Sequence, residues 1–281
     1  MKIHMFFFLL FIFIFNSQAQ EFKIKTEVDI NDFVYKTNRK MIINKTLKFK
    51  SLSKHKYSKA ITVLNNAISK YPKEIFKYIN TVYILDQVID TERPINGITL
   101  QGEGFIFLTY NDDLTCDCEK KNCDFRSKDF YSAYEFEKTF HHEFCHILMF
   151  EFFDLERRKW RRKFQSYWSE FNQISYVKKD KDVWKRQNNV YKKDTVNDDF
   201  FYEMGFLSGY ASSSIDEDMA VTIENMFMNR KAFWEFINKN QYTYNIEEEK
   251  INPLLRKTQI AAKFYNYIDP EFSFEYFKSL K

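Results

Sequence analysis

The chain has 281 residues, 44% of them apolar, enough for one substantial hydrophobic core or two small ones. Lys and Arg number 43 against 39 Asp and Glu, a formal net charge of +4, and no basic stripe accompanies this balance that would mark a nucleic-acid-binding surface. Five glycines and four prolines punctuate the whole length, which excludes collagen-like and Pro/Gly-rich low-complexity architectures and predicts long elements with few linkers.

The first element is an export signal. Lys2 and His4 precede an apolar run over residues 6–15, and small residues at Ser17 and Ala19 follow. That order predicts a secretory signal peptide over residues 1–19, cut after Ala19, with a single domain over 20–281. Ten apolar residues are too few to span a bilayer, and no later stretch reaches that length. The mature chain is therefore expected to lack a transmembrane span and to work outside the cytoplasm.

Residues 57–70 carry Ala60, Ile61, Leu64, Ala67 and Ile68 at helical spacing, and Pro72 follows as a stop. Residues 79–86 are β-rich and short, as a strand should be. Residues 97–111 read as strand, glycine-marked turn and strand. The second of these strands, around residues 105–110, is a candidate edge for holding an extended peptide, with an ordinary core strand as the other reading.

Next comes a loop with Cys116, Cys118 and Cys123. In an oxidising compartment Cys123 is expected to pair with Cys116 or Cys118. No fourth ligand for a zinc knuckle lies nearby. The acidic residues around it (Asp112, Asp113, Asp117, Glu119, Asp124) lack the glycine and spacing of a calcium loop. Residues 130–152 are helical by pattern, and 155–190 form a second, polar and aromatic helical region whose basic run at 156–164 reads as a solvated face. Residues 197–214, with two glycines and a serine run, read as loop. A helix is expected from Ile215 to Asn229, and another after Pro253 with Ile260, Ala261, Phe264 and Tyr267 on one face. Strands first and helices after predict an α+β fold: a small mixed sheet, one central helix and a largely helical C-terminal half.

Three of the five histidines fall in "FHHEFCHILMF", residues 140–150. His142-Glu143-x-x-His146 is the His-Glu-x-x-His pattern of zinc-dependent hydrolases. Positions four apart share a helix face, so both imidazoles reach one ion, while Glu143 sits about 100° round, able to touch a water without being a ligand. His141 points off that face and is expected to be a supporting or surface histidine. Cys145 is expected to be a small buried residue.

Zinc of this kind needs a third protein ligand and an open position. No histidine follows His146. Of the candidates, His4 leaves with the signal, His55 lies upstream, and two carboxylates stand downstream: Glu170, 24 residues beyond His146, and Glu217, which opens a helix after a loop. Glu217 is preferred because Tyr210, seven residues earlier, can be brought to the metal's open side. The Tyr-to-Glu spacing and the run Glu217-x-x-Ala220 resemble the zinc site of anthrax lethal factor.

Taken together, "FEKTFHHEFCHILMF" and "MGFLSGYASSSIDEDMAV" resemble the family of putative zinc-binding metallopeptidases, also called substrate import-associated zinc metallohydrolases. The resemblance implies a zincin-like fold, one Zn²⁺ held by His142, His146 and Glu217, Glu143 as base, Tyr210 as electrophilic helper, and a peptide or protein substrate. It also implies association with outer-membrane nutrient-import machinery at the periplasmic, cell-surface or secreted side. Two departures stand out. Members of this family carry a lipid-acceptor cysteine after the signal, whereas "NSQAQ" has none, so lipidation is not expected. Val221 stands where the family has an acidic residue that orients a histidine, and Asp218 and Glu224 are the candidates to replace it. A protein that keeps the zinc scaffold but binds peptide or glycan without cleaving it is the alternative reading.

Overall fold

The structure is a computed structural model that describes residues 22–28, 47–90, 92–112, 128–154, 166–172, 176, 198–228, 231–239, 244–246 and 249–280. The expected signal segment, the three-cysteine loop and the basic run at 156–164 lie outside the described residues.

The chain forms a six-stranded mixed sheet, interrupted by one helix between its second and third strands, and adds the remaining helices after the last strand of that sheet. Strands β1 (Lys23–Lys25), β3 (Thr81–Asp90) and β6 (Phe105–Thr109) run parallel. Strands β2 (Leu47–Ser51) and β4 (Arg93–Ile95) pair antiparallel with β3, and β5 (Gly97–Leu100) pairs antiparallel with β6. Alternation along β3 and β6 sorts the apolar residues into two sets. Val82, Ile84, Ile106 and Leu108 face the main core, while Tyr83, Leu85, Phe105 and Phe107 pack with Leu47 and Val88 on the other face. The glycine-marked turn is a single 3-10 turn closed by Gly104 at φ 65°, where a Cβ would lie 2.6 Å from the Tyr78 carbonyl oxygen.

Helix α1 (Tyr57–Ser69) buries Ala60, Leu64 and Ala67, a stripe at i, i+4 and i+7. Helix α2 (Lys128–Asp154) is the centre of the molecule, and every residue from 140 to 149 is buried. A helix apolar on most sides must be surrounded. The sheet and α1 cover it on two sides, and α4 (Ile215–Met228) covers a third. The segment expected to be loop before α4 contains a short helix α3 (Asp198–Glu203) and a 3-10 turn (Ala211–Ser213). Beyond α4 come α5 (Lys231–Lys239), a hairpin of β7 (Tyr244–Ile246) and β8 (Glu249–Ile251), α6 (Pro253–Ile268) and α7 (Phe274–Ser279). Helix α6 starts where its sequence says it should: Asn252 caps it, accepting from the Leu255 amide at 3.0 Å, and Pro253 occupies the first turn.

The candidate edge strand requires correction. β6 lies between β3 and β5, so the expectation for residues 105–110 resolves to a core strand, and among the described residues β5 terminates the sheet on that side. No helix among the described residues is long and apolar enough to cross a membrane.

Candidate metal centre

Helix α2 supplies two imidazoles and α4 supplies a carboxylate. Nε2 of His142 lies 3.2 Å from Nε2 of His146, and Oε2 of Glu217 lies 3.1 Å from the first and 3.4 Å from the second. Four ligands placed tetrahedrally at 2.0–2.1 Å from zinc stand about 3.3 Å apart. The three separations match the edges of that tetrahedron, with both histidines buried and Glu217 partly buried. Two nitrogens and one carboxylate oxygen are also a donor set that zinc accepts. The chain's own residues therefore fit one such ion.

Ser214 sits at the N-cap of α4, where its hydroxyl accepts from the Glu217 amide at 3.2 Å. Ser214-x-x-Glu217 is the capping-box pattern, in which the glutamate ordinarily turns back to the cap amide. Here it turns outward, to the histidines. Burial pushes the Glu217 carboxyl up, but His142 and His146 outweigh it and hold the group well below the usual carboxylate range. Burial would lower His142, yet Glu217 and Glu224 on its two nitrogens raise it to about 10 while no cation is bound.

Glu224, one of the two candidates to stand in for an acid at 221, faces His142. Its Oε2 lies 2.9 Å from Nδ1 of His142, and Lys138 approaches its other oxygen at 3.3 Å. A carboxylate on Nδ1 fixes the tautomer that leaves Nε2 free for a metal. Asp218, the other candidate, is turned away and bonds Trp168, Tyr176 and Lys257. Val221 is buried in an apolar cluster with Phe201, Phe206 and Ala211. Nδ1 of His146 has no hydrogen-bond partner among the described residues.

Glu143 is buried on the side of the centre that faces β5. A Cβ on Gly97 would stand 3.2 Å from Oε1 of Glu143 and 2.5 Å from Cγ2 of Thr139, so only glycine lets the edge strand come this close. Burial, offset in part by the two histidines, raises the Glu143 carboxyl above its ordinary value. The Tyr210 ring lies 5.9 Å from the His142 ring. The residue is half-exposed to solvent, and desolvation on its inner side, then the Glu217 carboxylate, push its phenol up.

Three expectations resolve differently from one another. Glu170 is exposed and outside the cluster. Of the two readings for His141 the surface one is excluded: it is fully buried, stacked 4.7 Å from Phe227, with Nδ1 2.9 Å from the Tyr71 hydroxyl. Cys145 is buried with a free thiol, as expected. Sequence reasoning missed Lys138 and Gly97. Glu224 was one of two candidates in the sequence, and the signal that favours it is that seven residues on a helix return almost to the same face, which places it two turns above Glu217.

The family described as "Putative zinc-binding metallo-peptidase" matches residues 117–272, a stretch that contains both halves of this centre. The chain belongs to that family. No curated protein and no solved structure matches it.

Proposed function

We propose that this member of the zinc-binding metallo-peptidase family hydrolyses peptide bonds with one Zn²⁺, on a zincin-like scaffold, after export from the cytoplasm. The observation that carries the proposal is the near-tetrahedral spacing of His142 Nε2, His146 Nε2 and Glu217 Oε2. Zinc, when bound, supplies a Lewis acid that polarises a carbonyl and brings the pKa of water to about 7. The remaining work falls to the chain's own groups. Glu143, with its carboxyl raised by burial, accepts a proton from the attacking water and returns it to the leaving amine. Tyr210, kept protonated, donates a hydrogen bond to the developing oxyanion. The β5 edge passes directly against Glu143, so an extended peptide adding to that edge has its main chain beside the base.

The alternative, a zinc scaffold that binds peptide or glycan for an import system, is favoured by Val221 and by an envelope setting. The Glu224 contact to His142 at 2.9 Å offers a replacement for an acid at 221, which supports hydrolysis over binding alone. The segment over residues 1–19 supports export, and the absence of a cysteine in "NSQAQ" argues against a lipid anchor.

The test combines metal content with cleavage of a mixed peptide library. The parent is expected to carry one zinc per chain and to lose cleavage on chelation. Glu143→Gln is expected to keep the zinc and lose turnover by a factor of about 10² or more. A Glu143→Gln variant as fast as the parent would show that the base is another group.

A further inference from the structure

Helix α6 carries an anomaly that the chemistry above does not use. Leu254, Thr258, Ala261 and Tyr265 form its buried face, and Lys257 stands among them, 1% exposed. An ammonium in such a place must find partners for all three of its donors. It does. Nζ contacts Asp218 Oδ2 at 2.6 Å and, at 2.5 Å each, the side-chain oxygen of Asn172 and the Gly205 carbonyl. It also lies 4.5 Å from the Phe206 ring centre. The same Asp218 oxygen accepts from Trp168 Nε1 at 2.8 Å and from the Tyr176 hydroxyl at 2.6 Å.

A buried ion pair of this kind is often no more stable than two apolar side chains filling the same space. Its placement supplies a geometric reason. Asp218 directly follows Glu217. Gly205, at φ 86°, begins the passage that leads to Tyr210. One ammonium therefore ties down both the start of α4 and the start of the Tyr210 segment.

The start of α4 needs such a tie because Glu217 gives up its capping-box contact in order to face the histidines. Side-chain atoms lie about 5–6 Å from a helix axis, so rolling α4 by about 20° would carry the Glu217 oxygen by about 2 Å. Functional groups need placement within about 0.5 Å and 10–20°. Asp218, about 100° around the helix from Glu217, is held by three donors from three separate segments and fixes that roll angle.

We propose that Lys257 and Asp218 are positioning residues of the metal centre, setting the orientation of Glu217 and, through Gly205, of Tyr210. This rests on the zinc reading above.

The test uses the full chain with zinc alone and with Co²⁺ as a spectroscopic probe. Lys257→Met with Asp218→Asn removes both charges and keeps acceptors for Trp168 and Tyr176. This double variant is expected to unfold within a few degrees of the parent, yet to bind zinc about tenfold or more weakly in chelator competition. Its Co²⁺ visible bands should shift, and its kcat should fall more than its KM changes. Tyr176→Phe removes one donor from a partly exposed ring and decides the matter if the double variant does not fold. It should show the same spectral shift and a smaller loss of affinity, about two- to fivefold. Variants with parental zinc affinity and parental cobalt bands would overturn the positioning role while leaving the zinc reading intact. A parent that takes up no metal would overturn the zinc reading instead.

Discussion

At the scale of single residues, the carboxylate that meets His142 stands one turn further along the helix than the resemblance implies. The resemblance places an acid at 221, one turn beyond the ligand. Here that position holds Val221, packed among Phe201, Phe206 and Ala211, and the acid stands one turn later at Glu224. Glu224→Ala should therefore leave the fold intact but weaken zinc binding by about 10- to 100-fold, because His142 loses the group that holds its Nδ1. Competition against a chelator of known affinity measures this, and an unchanged constant would mean that the contact orients nothing. The reverse exchange makes the same point from the other side. Val221→Glu would bury a carboxylate in an apolar cluster, so thermal unfolding should show a loss of about 3 kcal/mol or more with no gain in metal affinity.

At the scale of elements, the close approach of β5 to α2 is the feature on which the cleft depends. Thr139 is β-branched and its hydroxyl is bonded to the Glu135 carbonyl at 2.7 Å, so its methyl has little freedom to retreat. Gly97→Ala should cost about 1–3 kcal/mol by overpacking, and should reduce turnover more than zinc content, since the new methyl presses on Glu143 and not on the ligands. Denaturant unfolding together with metal analysis separates the two effects. The sequence made α1, α2, α4 and α6 legible because a 3.6-residue period, a stop at Pro72 and a start at Pro253 act locally. The two candidate imidazole ligands were legible for the same reason, as helix spacing alone puts His142 and His146 on one face. What sequence could not show depends on which segments meet. β6 and β5 have similar composition, and only pairing decides which one ends the sheet. His141 is buried by Phe227 and Tyr71, which come from 86 residues later and 70 residues earlier. α3 was hidden because Gly205, which ends it, reads in isolation as part of a loop.

At the scale of the whole molecule, a second polar group lies behind the metal centre and joins the helices to one another. Lys70, just past α1, meets Glu137 of α2 at 2.7 Å and the Phe227 carbonyl of α4 at 3.0 Å, and the Tyr276 hydroxyl of α7 bonds the Lys70 carbonyl at 2.7 Å. Asn66 donates to the other Glu137 oxygen at 2.9 Å. Burial pushes the Glu137 carboxyl up, but His141 and the Lys70 ammonium more than reverse this and hold it down to about 2. Its ordinary value is 4.5, so the unfolded chain takes up the proton first as pH falls. The stability that Glu137 contributes is therefore complete above pH 4.5 and drains away as pH falls toward 2. A gap of that size corresponds to about 3 kcal/mol. Glu137→Gln leaves the Lys70 ammonium without its counter-charge, so this variant should be less stable than the parent at pH 7. The parent's advantage should then shrink between pH 4.5 and 2, because the glutamine cannot titrate. Taking the difference between the two unfolding curves at each pH isolates this group from the carboxylates at the metal centre. Curves that stay parallel through that window would mean that the Glu137 carboxyl is not held down in the folded chain.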